Sequence, residues 1–363
     1  MSGALVNLVS KGVQDAFLSG SPQVSFFRQN YKRHTNFAMK PVEVTGIGSN
    51  GPNAQLSFKI EPKGDLLTYV WLDVDDIGKG ADTDQDIQTG VSNTPTEIEL
   101  WIGGKMVDRQ DAFFIDSLWS KFLASSPSKY WRPTSSTQGA TGNAFLPLHF
   151  FHCDETTTPL PLVAMQYQEV EIRIKQGANI KAASSAKLKM YANMIMLDTD
   201  ERKFFTDNEH EILITQTQRI AVDGAAASTS SVDLSYFNHP VKAIVFGGDD
   251  DDGLDVTDVQ MVVNGNDYFG TPMPRKYFNN VVNYYHTENT LQNGDANDSA
   301  KYMVPLSLCP CKHQPTGTLN FSRVDNAKLT WTKDGTEPLP FVYGVNYNVL
   351  RVKGGMSGVA FSN

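Results

Sequence analysis

The sequence predicts an all-β protein, one sandwich unit used twice in tandem, and three observations predict it. First, five apolar runs recur in the same order. The first set is 67–75 (LTYVWLDVD), 96–104 (TEIELWIGG), 145–151 (FLPLHFF), 160–175 (LPLVAMQYQEVEIRIK) and 187–197 (KLKMYANMIML). The second is 241–249 (VKAIVFGGD), 258–266 (DVQMVVNGN), 302–310 (YMVPLSLCP), 316–332 (TGTLNFSRVDNAKLTWT) and 341–352 (FVYGVNYNVLRV). The offset between the sets shrinks from 174 to 154 residues, as longer loops in the first copy would produce. Second, several runs alternate apolar and polar residues, the period of a strand with one buried face. Third, clusters of Gly, Asn, Asp, Pro and Ser separate the runs, as at 46–53, 78–95, 133–143, 249–253 and 292–299. Short strands joined by long polar loops fit sandwiches with elaborated ends.

Taken in order, the chain opens on a different pattern. Leu5, Leu8, Val9, Val13, Ala16 and Phe17 fall at helical spacing, and Gly20-Ser21-Pro22 ends the stripe. This helix-like arm either docks on a partner or a membrane face, or packs on its own domain. Residues 26–34 (FFRQNYKRH) mix aromatics with cations. They suit stacking and phosphate contacts, or ion pairs with acidic neighbours; the acidic net charge favours the second. From Val24 onward the signal is β. Residues 54–60 and 165–174 alternate, with Val170, Ile172 and Ile174 opposite Glu169, Glu171 and Arg173. A helix is predicted at 112–124 and a shorter one near 276–284, at matching places in the two copies. The charge-dense stretch 198–211 (DTDERKFFTDNEHE) reads as the linker between copies.

Composition bounds the function. Each half of the 363 residues is long enough to bury its own core. Forty acidic against 31 basic residues give a net charge of −9, so no surface for wrapping nucleic acid is expected. Three cysteines, Cys153, Cys309 and Cys311, argue against a disulfide framework and suit a reducing compartment. No signal peptide and no apolar run near the ~20 residues of a spanning helix are recognised, so a soluble protein made in the cytosol is expected.

Motifs of catalysis are weak. Residues 46–51 match GxGxxG, but a strand follows where a dinucleotide site needs a helix, so a hairpin loop is expected. The seven histidines are scattered, and His152-Cys153 with Cys309-Pro310-Cys311 lacks zinc spacing; buried thiols are the better reading. The run Asp249–Asp252 misses the EF-hand pattern and reads as a solvated loop tip. No catalytic, cofactor or metal residue is assigned. Asn297 and Asn320 head N-glycosylation sequons, unused without a secretory route. Trp119, Phe122, Tyr130 and Trp131 sit around loops and are candidate interface aromatics; the alternative is that they cap their own core.

Seven stretches together resemble the major capsid proteins of the nucleocytoplasmic large DNA viruses, the group of iridoviruses, phycodnaviruses and mimivirus-like viruses. They are 12–38, 101–110, 159–170, 197–216, 237–242, 313–327 and 346–363, of which RxxYKRHTNFA, DERxFF and HQPTGTLNFSRxDNA are the specific ones. The resemblance implies a double jelly roll of two eight-stranded antiparallel sandwiches. The expected divisions are an arm at 1–22, a first jelly roll at 23–203 and a second at 204–363. It also implies a homotrimeric, pseudo-hexagonal capsomer tiling an icosahedral shell around a large double-stranded DNA genome. Expected partners are further copies of the chain, minor capsid and penton proteins, and the internal viral membrane through Leu5, Leu8, Val9, Val13 and Phe17 of the arm. The expected location is the virion capsid, assembled in the host cytoplasm. A minor or paralogous capsid protein of the same lineage stays open, as does, more remotely, a carbohydrate-binding β-sandwich.

Overall fold

The computed structural model describes residues 10, 12–49, 51–73, 96–126, 129, 145–177, 188–222, 229–248, 255–288, 301–334 and 341–361. The chain divides into two compact units, Met1–Asn36 and Phe37–Asn363. In the first unit the described part holds one short helix, α1 (Ala16–Ser19), closed by a Gly20 N–H to Ala16 carbonyl bond. The side chains of Val13, Phe17, Phe26, Phe27 and Tyr31 are exposed.

The body carries twenty strands among the described residues, and all their pairings are antiparallel. The first half supplies β1 (Phe37–Val44), β2 (Gly46–Gly48), β3 (Gln55–Ile60), β4 (Leu66–Asp73), β5 (Glu97–Ile102), β6 (Lys105–Asp111), β7 (Phe145–Pro147), β8 (Val170–Lys175) and β9 (Lys189–Leu197). They form two sheets, ordered β1-β9-β4-β7 and β2-β3-β8-β5-β6. The second half supplies β10 (His210–Ala221), β11 (Thr229–Asp233), β12 (Pro240–Gly247), β13 (Asp255–Val263), β14 (Asn266–Asp267), β15 (Met273–Pro274), β16 (Lys301–Pro305), β17 (Leu319–Asn320), β18 (Ala327–Asp334), β19 (Phe341–Lys353) and β20 (Met356–Val359). Their sheets run β10-β19-β12-β16 and β11-β18-β13-β14, with β15 beside β13, β17 beside β12 and β20 beside β19. Leaving out β2 in the first half and β15, β17 and β20 in the second, the two halves have the same order strand for strand. In each sheet early and late strands alternate, the wrapping of a jelly roll. Among the described residues, no strand of one half pairs with a strand of the other.

The five repeated runs fall on topologically equivalent strands: β4 with β12, β5 with β13, β7 with β16, β8 with β18 and β9 with β19. Local chemistry explains why the copies fold alike. In β8, Val170, Ile172 and Ile174 are buried while Glu171 and Arg173 face outward and pair with each other. The turns Gly103-Gly104 and Asn264-Gly265 join equivalent strands, with φ of +58° and +78° in the first and +50° and +78° in the second. Two consecutive positive φ values make the type I′ hairpin, which matches the strand twist. After this hairpin each half enters a π-helical segment, Phe114–Trp119 or Tyr277–Val282. These lead into α2 (Ser120–Phe122) and a later short helix, as predicted. The GxGxxG stretch opens on β2, which pairs back on β3, so it belongs to a hairpin.

One element differs from expectation. The stretch read as a polar linker contains a helix, Thr199–Asp207, preceded by Asp198, whose side chain accepts the Thr199 N–H. Asp200 and Glu201 in its first turn favour the positive end of the helix dipole. The expected boundary at 203/204 lies within this helix, and the strands of the two sandwiches divide around it. The N-terminal compact unit ends at Asn36, beyond the expected arm boundary at residue 22.

Candidate functional site: the polar seam and the exposed faces

The seam arises because the edge strand β6 of the first sandwich lies against β10 of the second. Its last residues, Asp108, Gln110 and Asp111, are buried carboxylates and an amide that need partners. The second sandwich provides them. The Thr217 N–H donates to Asp108 Oδ1 at 2.8 Å. Arg219 bridges the seam, with one guanidinium nitrogen 2.7 Å from Asp111 Oδ1 and another 2.7 Å from Glu97 Oε1. The Tyr343 hydroxyl donates to Asp111 Oδ2 at 2.9 Å. The Phe114 ring packs on Tyr343 with centroids 5.3 Å apart. At the far end of the first sandwich, the Ser357 N–H donates to Gln168 Oε1 at 2.6 Å.

Burial sets the electrostatics here. It pushes the Asp108 carboxyl from 3.8 to about 7, against the lowering effect of N–H groups of Thr217, Gln110 and Arg109. It also raises Asp111, with the Arg219 charge opposing. The Tyr343 phenol is pushed well above its ordinary value by burial and by the Asp111 charge.

Beside these contacts lies a small cleft of ≈ 40 Å³, open to solvent and lined from both sandwiches by Trp119, His149, Asp154, Lys242, Cys311 and His313 among others. Burial brings the Lys242 amine down to about 8. Both cleft histidines are already committed, and the Lys242 amine lies over the Tyr347 ring, 5.5 Å from its centroid. His149 Nδ1 is 2.8 Å from Asp154 Oδ1, and the His149 ring stacks on Trp119 at 3.3 Å. His313 Nε2 is 3.0 Å from the Leu213 carbonyl. Burial raises the Cys311 thiol, which opposes thiolate formation. This chemistry suits a joint between two domains.

The resemblance-bearing motifs are also structural. In DERxFF, Arg202 Nε donates to the buried Asp65 at 2.8 Å, tying the helix Thr199–Asp207 to the first sandwich. The FNHPVK and NFSR stretches lock each other: His239 N–H donates to Ser322 Oγ at 2.8 Å, and Phe321 N–H to the His239 carbonyl at 3.1 Å. Asn264 Oδ1 accepts from Asp325 and Asn326 N–H groups at 3.0 and 3.1 Å.

Of the predicted site residues, Leu5, Leu8, Val9, Tyr130, Trp131 and Asn297 lie outside the described residues. Val13 and Phe17 are exposed in the N-terminal unit. Trp119 and Phe122 are corrected: they are not presented at a surface but buried in the subunit's own core. The cause is the helix they occupy, which the 145–155 segment and the second sandwich cover. Asn320 is exposed, and its side chain accepts the Ser322 N–H at 3.1 Å, so it serves as a turn cap. The seam residues went unread in the sequence; the only available signal was Asp108 and Gln110 at alternate positions of a strand, where apolar residues would be normal.

The architecture defines the class first: a double jelly-roll subunit with a polar internal joint. Residues 25–234 match the family described as major capsid protein N-terminus. Residues 249–358 match the large eukaryotic DNA virus major capsid protein family. The chain is 33% identical over 410 residues to the major capsid protein of Pyramimonas orientalis virus, with 100% of both covered. It is 29% identical over 451 residues to that of Paramecium bursaria Chlorella virus 1, again with 100% of both covered. Among solved structures it is similar to VP54 of PBCV-1, with a TM-score of 0.76, 24% identity, and 93% of this chain and 100% of that one covered. The Faustovirus major capsid protein has the same fold, with a TM-score of 0.64 and 11% identity over 95% of each chain. The chain belongs to the major capsid protein family of the large eukaryotic DNA viruses.

Proposed function

We propose that the chain builds its viral shell as a homotrimeric capsomer. The observation that carries this is the fusion of two sandwiches of identical strand order in one subunit. Three such subunits present six similar sandwiches, and a ring of six tiles a flat facet. The polar seam fixes the two sandwiches of one subunit against each other. Shell neighbours on this reading are other capsomers and the minor capsid and penton proteins. The N-terminal unit, with exposed Val13, Phe17, Phe26 and Phe27, is the tether to them or to an internal membrane. Assembly takes place in the host cytoplasm, without a catalytic step.

The test is the native mass of the full chain by light scattering, with negative-stain images of the same peak. The expected mass is three times 40.1 kDa, with a hexagonal outline. A monodisperse species of 40.1 kDa that persists at high concentration overturns the trimer reading.

A further inference from the structure

The cleft between the sandwiches holds an amine that the joint does not use. Lys242 is the extra residue of a β-bulge. In β12, Val241 is opposite Asn346 and Ala243 is opposite Val345, so Lys242 has no register partner on β19. A bulge re-aims the side chain it carries. Here it puts Lys242 on the wall of the cleft. The backbone holds the bulge in place: the Lys242 carbonyl accepts the Leu306 N–H at 3.0 Å and the Ser307 hydroxyl at 3.1 Å. Lys242 is 6% exposed, yet among the described residues no carboxylate lies at ion-pair distance from its amine. The Tyr347 ring is the contact the amine makes, and it leaves the nitrogen free to face the cleft.

The groups around this amine set what the cleft can take. Asp154 and Glu155 face it from the 145–155 segment, Cys311 and His313 from the 309–313 segment, and Tyr347 from β19. Two carboxylates on the wall disfavour an anion. The His, Cys, Asp and Glu side chains among the described residues do not gather into a metal set. A neutral ligand fits this lining. Its size is bounded by the ≈ 40 Å³ of the cleft, room for about three water-sized groups. A second buried polar atom lines the same cleft. Gln110 Oε1 has no hydrogen-bond partner, although Gln110 is 3% exposed. The cleft therefore offers a nucleophilic nitrogen and an unused acceptor.

We propose that Lys242 captures small neutral aldehydes in this cleft as a Schiff base. The amine lone pair attacks the carbonyl carbon, the C–O π pair moves to oxygen, and the nitrogen passes a proton to that oxygen. The resulting carbinolamine carries a hydroxyl, for which Gln110 Oε1 is an acceptor. Loss of this hydroxyl as water, with the remaining N–H proton, leaves a C=N bond. No electrons are gained or lost overall, so no oxidant or reductant is consumed. Burial supports the step. It holds the amine at about 8, against an ordinary 10.5, which leaves about a tenth of it unprotonated at pH 7. Desolvation of this kind is how lysines that form Schiff bases are activated.

The experiment treats the full chain with acetaldehyde and cyanoborohydride, which reduces the imine to a stable secondary amine. Peptide mass spectrometry then reads the rate at each lysine between pH 7 and 10. Acetaldehyde has three non-hydrogen atoms and matches the cleft. The expected result at pH 7 is that Lys242 is ethylated at least ~10-fold faster than the exposed Lys40, Lys105 and Lys328. The ratio is expected to shrink toward pH 10, because an ordinary lysine titrates near ~10.4. The preference is also expected to vanish in guanidinium, and with pyridoxal 5′-phosphate, which is anionic and too large. Lys242 reacting no faster than the exposed lysines at pH 7 overturns the proposal. A preference that survives unfolding, or that pyridoxal 5′-phosphate shares, overturns it too, since the cleft would then not be what selects the aldehyde.

Discussion

The two sandwiches share one strand order but treat the same sheet face in opposite ways. In the second, the row Arg219, Tyr343 and Val245 is sealed under β6 and tied by a buried ion pair. In the first, Glu43 of the row Glu43, Tyr191 and Trp71 is exposed, Tyr191 and Trp71 are half-buried, and no such ion pair is made among the described residues. Tyr191 and Trp71 stack on each other at 4.4 Å, and Phe145 meets Trp71 edge-on at 6.2 Å. The difference shows how the work is divided along each strand. Inward positions are held to the apolar pattern that makes a sandwich. Outward positions are free to diverge, and they decide what the sandwich meets.

Equivalent positions therefore tolerate change differently, and the largest contrast is at the helix. Phe122 is wholly buried, whereas its counterpart Tyr285 is exposed. Phe122→Ala removes a buried ring and leaves a cavity, at an expected loss of about 3–5 kcal/mol. Tyr285→Ala in the dissociated subunit is expected to stay within about 0.5 kcal/mol. Denaturant midpoints, taken where the protein is monomeric, make the comparison. Equal losses at the two positions would remove the asymmetry.

The second contrast compares Asp111 with Glu43. Asp111→Ala leaves Arg219 partly buried with Glu97 as its remaining carboxylate, and Tyr343 without its acceptor. The expected loss is about 3 kcal/mol, as for a buried pair broken on one side. Glu43→Ala, on the exposed row, is expected to change monomer stability by less than about 0.5 kcal/mol. Urea unfolding of both variants at one pH checks it.

The legible part of this molecule was the inward pattern. The five repeated runs mark strands whose apolar residues must fill a core, so both copies kept them. The five repeated runs leave out the equivalent strands β1 and β10, and the structure explains why. One reads FAMKPVEV on an open face and the other HEILITQTQRIA on a covered one, so their outward residues obey different partners. The helix Thr199–Asp207 was hidden for a related reason: it has no buried residue, so no apolar stripe announces it. Its cap, Asp198, with Glu201 three residues on, was the signal that composition masked. For Trp119 and Phe122 the sequence leaves an interface and their own core both open, because loop proximity in sequence says nothing about what folds over them; the structure buries both.

The smallest net effect is expected from pH, because the two regions oppose each other. In the first sandwich His152 is buried between Phe150 and Phe151, with neither ring nitrogen hydrogen-bonded, and burial lowers its pKa from 6.5 to about 4. A base with a depressed folded value destabilises the native state once the unfolded chain can bind the proton. Stability is thus lost as pH falls from 6.5 to 4, by about 3 kcal/mol. In the seam, Asp108 has the opposite sign. Its folded value of about 7 exceeds 3.8, so the native state holds the proton longer than the unfolded chain, and stability is lost as pH rises from 4 to 7, by about 4 kcal/mol. The two effects oppose each other in the wild type, whose profile across this range is expected to be shallower than that of either single variant. Asp108→Asn should expose the core histidine, with stability climbing about 3 kcal/mol between pH 4 and 6.5. His152→Phe should expose the seam carboxylate, with stability falling as pH approaches 7. A flat profile in Asp108→Asn would mean that His152 is not the group balancing the seam. Matching slopes in the two variants would show that neither region governs its side of the range.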